Sequence, residues 1–79
     1  MNVPINELNL GSKFRLGGGE YKLTLQAWTC EMVLRHQKRF IGEMKPDDGP
    51  AHRIHPKLGG EFQEKIELWI AGNQIVEVK

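Results

Sequence analysis

KFRLGGGEYKLTLQAWTCEMVLR, residues 13–35, decides between an all-β and an α+β chain. Its first half has period two. Lys13 to Leu16 alternates, Gly17, Gly18 and Gly19 interrupt, and Glu20 to Ala27 alternates again. Tyr21, Leu23, Leu25 and Ala27 then share one face, with Glu20, Lys22, Thr24 and Gln26 on the other. Two such runs joined by glycines predict a β-hairpin. Between Ala27 and Trp28 the parity flips, and Trp28, Cys30, Met32 and Leu34 become the apolar set. A strand does this only with an inserted residue, because a one-residue slip sends every side chain to the opposite face. The strand reading therefore expects a β-bulge within about two residues of Ala27, with Trp28, Cys30 and Leu34 buried. The competing period is helical: Leu25, Trp28, Met32 and Val33 fall at i, i+3, i+7 and i+8, with Thr24 suited to cap a helix over 24–38. β-branched and aromatic residues continue through the segment, which favours the strand. The expected fold is all-β, a small antiparallel sheet or partly open barrel of about five strands. The alternative is α+β with a helix near 24–38.

Working outward, Val3 to Leu10 is a lead-in with Leu8 and Leu10 as anchors. Arg35 to Lys38 is a polar connection, and Phe40 to Met44 a short strand. KPDDGPAHRIHPKLGG, residues 45–60, holds three of the four prolines and two of the three histidines. Proline lacks the N–H that a ladder needs and glycine loses the most entropy on ordering, so 45–60 reads as one long loop. Loops of that length in small domains are functional or disordered. Leu68 and Ile70 then alternate with Glu67 and Trp69, and Ile75 to Val78 closes a C-terminal hairpin. The register that buries most pairs Ile70 with Val76 and Leu68 with Val78, leaving Trp69 beside Glu77, away from the core.

The opening Leu8-x-x-Gly11-x-x-Phe14, followed by Gly18-Gly19-x-Tyr21, resembles the first hairpin of small SH3-like or KOW-type barrels. The resemblance implies a fold whose members bind nucleic acid or protein segments, and by itself assigns no function.

The 79 residues make one domain, 1–79, with a core too small for a second unit. No window approaches the roughly 18 apolar residues of a membrane span, so no membrane partner is expected. MNVPINELN has neither the basic nor the apolar region of a signal peptide. A single cysteine cannot make an internal disulfide, which fits a cytoplasmic location. The net charge is +1, unevenly placed: residues 35–57 carry +3 and residues 58–79 carry −2. That balance excludes an acidic nucleic-acid mimic and disfavours a basic coating protein.

Several motifs invite chemistry. His52-x-x-His55, with Asp47, Asp48 and His36 nearby, lacks the second ligand pair of a zinc site, so no metal and no cofactor is expected. Asp47-Asp48-Gly49 lacks the alternating oxygens of a calcium loop and reads as a turn. Gly17-Gly18-Gly19 precedes a strand rather than the helix that a phosphate loop requires. Cys30 lies on the apolar parity and reads as a small buried hydrophobe, and no nucleophile–base pair is evident. One constellation remains: Arg35, Lys38 and Arg39, with Arg53, His55 and Lys57 from the long loop and Trp69 as an exposed aromatic. Such a set suits a binding surface. The expected function is a non-catalytic protein-binding module, an adaptor or inhibitor of the size of phage or mobile-element accessory proteins. The second expectation is a weak single-stranded nucleic-acid binder, and the third a small enzyme.

Overall fold

The computed structural model describes residues 1–42 and 50–78, with the side chains of 25–27 left aside. In chain order it contains β1 (Asn2–Pro4), a 3-10 turn (Ile5–Glu7), β2 (Lys13–Leu16), β3 (Gly19–Thr29), α1 (Cys30–Arg35), β4 (Pro50–Leu58), β5 (Glu61–Phe62), β6 (Leu68–Ala71) and β7 (Ile75–Val78). The described strands form one antiparallel sheet in the order β1-β7-β2-β3-β4-β5, with β6 also on β4. The fold is therefore the expected all-β, partly open sheet, with seven strands rather than about five.

The opening hairpin forms as read. Lys13 pairs with Lys22, Phe14 with Tyr21 and Leu16 with Gly19. Gly17 and Gly18 make the two-residue turn at φ 58° and 86°, a conformation that follows the strand twist and that glycine adopts freely. Further along, β3 slips against β4 twice, between Leu23 and Leu25 and between Leu25 and Trp28. The second slip is the irregularity expected near Ala27. The strand then ends in a helix: Thr29 caps α1 by accepting the Met32 N–H at 3.1 Å. Both periods are thus present in turn, strand to Thr29 and helix for six residues. Cys30 and Val33 are buried, and Trp28 is half-buried. Leu34, expected inside, is 49% exposed because the helical turn carries it past the core.

The long loop requires correction. Residues 50–58 are not a loop but β4, which pairs with β3, β5 and β6, and Gly59-Gly60 turns. Pro50 starts the strand. Pro56 sits where the neighbouring ladder is interrupted, between the stretch paired with β6 (51–54) and that paired with β5 (57–58). Its carbonyl accepts the Gln63 N–H at 2.8 Å, so the edge on which proline lacks a donor is held by this single bond, just before regular pairing with β5 begins. The first part of the expected loop, with Asp47, Asp48 and Gly49, lies outside the described residues, as do Glu43 to Lys45.

The C-terminal hairpin is a second correction. β6 pairs with β4, while β7 pairs with β1 and β2. Ile70 lies opposite His52 and Leu68 opposite Ile54. On the other edge of β6, the Trp69 N–H bonds to the Arg39 carbonyl and the Ile41 N–H to the Trp69 carbonyl, both at 2.9 Å. With β4 and β6 covered on both faces, two cores form. Ile5, Phe14, Leu23, Ile54, Leu68, Ile70 and Val76 make the larger. Cys30, Val33, Ala51, Trp69 and Ala71 make the smaller, closed by α1.

Candidate functional site

Trp69 is not the exposed aromatic. It is 2% exposed, stacked on Trp28 with ring centroids 5.0 Å apart. It lies on the face opposite to Leu68 and Ile70, as the alternation implies, but Cys30 and Val33 of α1 cover that face instead of water. Trp28, which also tilts against His36 at 5.6 Å, is the aromatic left partly accessible.

Arg53, His55 and Lys57 follow one another on one face of β4 and are engaged within the fold. His55 is 4% exposed. Its Nδ1 lies 2.9 Å from the Ile66 carbonyl. A carbonyl only accepts, so Nδ1 carries the proton, and in the neutral ring Nε2 accepts from the Thr24 hydroxyl at 2.9 Å. Thr24 in turn accepts from Arg53 Nε at 3.1 Å, and Arg53 Nη1 meets Glu67 at 3.2 Å. Thr24 is the extra residue of the first slip, since Leu23 faces Ile54 and Leu25 faces Arg53. The bulge brings its hydroxyl to both β4 side chains, a use to which bulges are often put. Thr24, Arg53, His55, Glu64 and Glu67 line a polar cleft of about 340 Å³. Hydroxyl, imidazole and orienting carbonyl come in the order that an activated nucleophile needs. Here, however, the hydroxyl oxygen is held by Arg53 and its proton given to His55. The arrangement is a lock between sheet and the 63–67 segment, reinforced by Lys22 and Glu64 at 4.0 Å.

Lys57 pairs with Glu20 at 3.2 Å and lies 5.8 Å from the centre of the Phe62 ring. It borders an open groove of about 770 Å³ with Gly17, Gly18, Glu20, Ile75 and Glu77. Arg15 also reaches Glu20, at 3.4 Å, so both cations of the groove are held by one carboxylate.

His52 points to the larger core at 2% exposure. Burial pushes its pKa below the ordinary 6.5, opposed more weakly by the Pro50 backbone. Its Nδ1 and the Trp69 Nε1 have no hydrogen-bond partner among the described residues. Among those residues, no three His, Cys, Asp or Glu side chains gather as a metal site would require.

Arg35, Lys38 and Arg39 stand apart from the β4 set, at the end of α1, and all are exposed. Arg35 meets Glu31 one helical turn earlier, at 2.9 Å. Lys38 and Arg39 make no ion pair among the described residues. The chain leaves the helix through a Schellman turn: the Gln37 N–H bonds to the Leu34 carbonyl and the Lys38 N–H to the Val33 carbonyl, both at 3.1 Å. Beside these cations, Met32 is 40% and Leu34 49% exposed. The sequence signalled the cations but placed Leu34 inside. α1 thus exposes two apolar side chains on different sides and is followed by cations at its C-terminal end.

Comparison with protein-family models, with curated proteins and with solved structures found no match to this chain.

Proposed function

We propose that the protein is a non-catalytic protein-binding module, an adaptor or inhibitor, and that α1 with the turn at 36–39 is its binding surface. The observation behind this reading is that Met32 and Leu34 are exposed on two sides of a helix anchored through Cys30 and Val33, and that Lys38 and Arg39, just beyond its end, make no ion pair among the described residues. Methionine and arginine are enriched at protein interfaces, whose rims are polar. Arg35, Lys38 and Arg39 belong to the proposed site, Arg35 through an ion pair with Glu31 that lies wholly at the surface. Arg53, His55, Lys57 and Trp69 do not, because they are held within the fold between strands.

Single-stranded nucleic acid is the second reading, favoured by Trp28 and His36 beside the same cations. Glu31 and the aliphatic pair count against it, since base stacking calls for aromatic platforms. Selection of a random peptide display library on the immobilised protein tests the proposal. Selected peptides should bind Met32→Ser/Leu34→Ser at least tenfold more weakly, with the melting temperature unchanged, as expected for surface positions. If no peptide is enriched while a thymidine oligonucleotide binds with a steep salt dependence, the nucleic-acid reading replaces it.

A further inference from the structure

His52 and Trp69 are the described residues with a buried side-chain nitrogen that lacks a hydrogen-bond partner. Trp69 is enclosed in the smaller core. His52 instead stands one pair from the end of a ladder, since the pairing of β4 with β6 stops at Ala51 and Ala71, next to His52 and Ile70. Its ring lies against Gly72, where a β-carbon would stand 2.9 Å from Cε1. Gly72 joins three parts of the chain. Its N–H bonds to the Pro50 carbonyl at the start of β4, and its carbonyl accepts the Asn6 N–H of the 3-10 turn, both at 2.9 Å.

A neutral imidazole fits this place with one nitrogen unmatched. The imidazolium fits it badly, because both nitrogens then donate and a charge is buried. The surroundings offer no counter-charge. β6 and the 72–74 turn carry no titratable side chain. Arg53 and His55 lie on the other face of β4, and the 3-10 turn carries only Glu7, which is exposed. Among the described residues no carboxylate comes within 4.0 Å of the ring. The Pro50 carbonyl favours the charged ring, but it already holds the Gly72 N–H.

We infer that His52 is a proton-operated latch: uptake of a proton by its ring releases the 72–74 turn from Pro50 and Asn6, loosening the start of β4 in mildly acidic surroundings. Opening the last pair and the turn exposes the ring without unfolding the sheet, and such local opening costs less than global unfolding. Ile5, wholly buried, keeps the N-terminal segment seated. Burial holds the folded ring's pKa below the ordinary 6.5, so proton uptake favours the open form as pH falls below that value. The device is independent of the surface at α1.

Amide hydrogen exchange of the wild-type protein, followed by NMR between about pH 7.5 and about pH 5 and corrected for the intrinsic pH dependence of exchange, tests this. If the closed ring stays neutral and the open one has its ordinary pKa, the opening constant rises about thirtyfold by pH 5. Protection of the Gly72 and Asn6 amides should therefore fall at least about tenfold. The Gly11 and Leu23 amides, bonded to Leu23 and Ser12 at 2.8 and 2.9 Å, should hold theirs. His52→Gln and His52→Leu, one polar and one apolar so that a folded variant is in hand, should show no such fall at Gly72 and Asn6. Protection there that is unchanged with pH, that is lost together with Gly11 and Leu23, or that falls equally in a folded His52 variant overturns the latch. A fall that begins only near about pH 4.3 assigns the effect to Glu7 and overturns it as well.

Discussion

Thr24→Val removes one oxygen and keeps the shape of the side chain, so it isolates the lock between β3, β4 and the 63–67 segment. In the wild type that oxygen lies 2.9 Å from His55 Nε2 and 3.1 Å from Arg53 Nε. The two losses differ. Arg53 keeps about a third of its side chain in water and regains a partner there, whereas His55 is 4% exposed and its ring acceptor is left unmatched. An unmatched buried acceptor costs about 1–3 kcal/mol, and the bond to a charged donor adds to this, for a total of about 2–3 kcal/mol. For a domain of this size that is a fall of about 10–20 °C in melting temperature. Urea titrations of the wild type, Thr24→Val, Thr24→Ser and His55→Leu, with the Thr24→Val/His55→Leu double variant, would measure it. Thr24→Ser should lose only about 1 kcal/mol, for its methyl group. The double variant should be more stable than the sum of the singles predicts by at least about 1 kcal/mol, because the 24–55 pair then leaves neither of its own partners unmatched, while the Ile66 carbonyl loses its donor equally in both His55 variants. Thr24→Val within 0.5 kcal/mol of the wild type, a level about that of ordinary surface changes, would show that the hydroxyl is hydrated and the lock is not structural.

Trp69→Ala should act on stability rather than on recognition: losing a buried indole should cost about 3–5 kcal/mol, read as loss of cooperative thermal unfolding by circular dichroism. Gly72→Ala should destabilise by about 1–3 kcal/mol in urea, because a β-carbon there would stand 2.9 Å from the Pro50 carbonyl, which the Gly72 N–H itself holds. For His52 the pKa is lowered in the folded chain, so below the ordinary 6.5 the unfolded chain takes up a proton that the folded one refuses. Urea midpoints should therefore fall as pH drops from that value towards the folded pKa, and His52→Leu should flatten this part of the profile.

What the sequence revealed follows from where water is. The hairpin from Lys13 to Ala27 was legible because period-two alternation and a glycine turn are local properties. β4 was hidden because both its faces are covered: Ala51, Arg53 and His55 lie on one, His52 and Ile54 on the other, and no apolar alternation survives. Its prolines look like loop residues until the neighbouring strands show that Pro50 only starts the strand and that Pro56 takes part through its carbonyl alone. Trp69 was placed on the right face of β6, but a helix of six residues turned that face into a core. Gln37, in the left-handed region at φ 54°, carried no signal at all, since that conformation at glutamine is visible only in the backbone.

The pairing of β1 with β7 has a mechanical consequence. Asn2 lies opposite Glu77, and the Met1 carbonyl takes the Val78 N–H at 2.8 Å, so the edge strand β1 and its neighbour β7 meet at their ends. In an antiparallel ladder the bonds run perpendicular to the strands. Tension applied between residues 2 and 78 would therefore load these bonds one at a time and open the pair like a zipper, at low force. Tension applied between residues 50 and 58 would run along β4 and shear its ladders together. The same sheet is thus weak when pulled by its ends and strong along its centre.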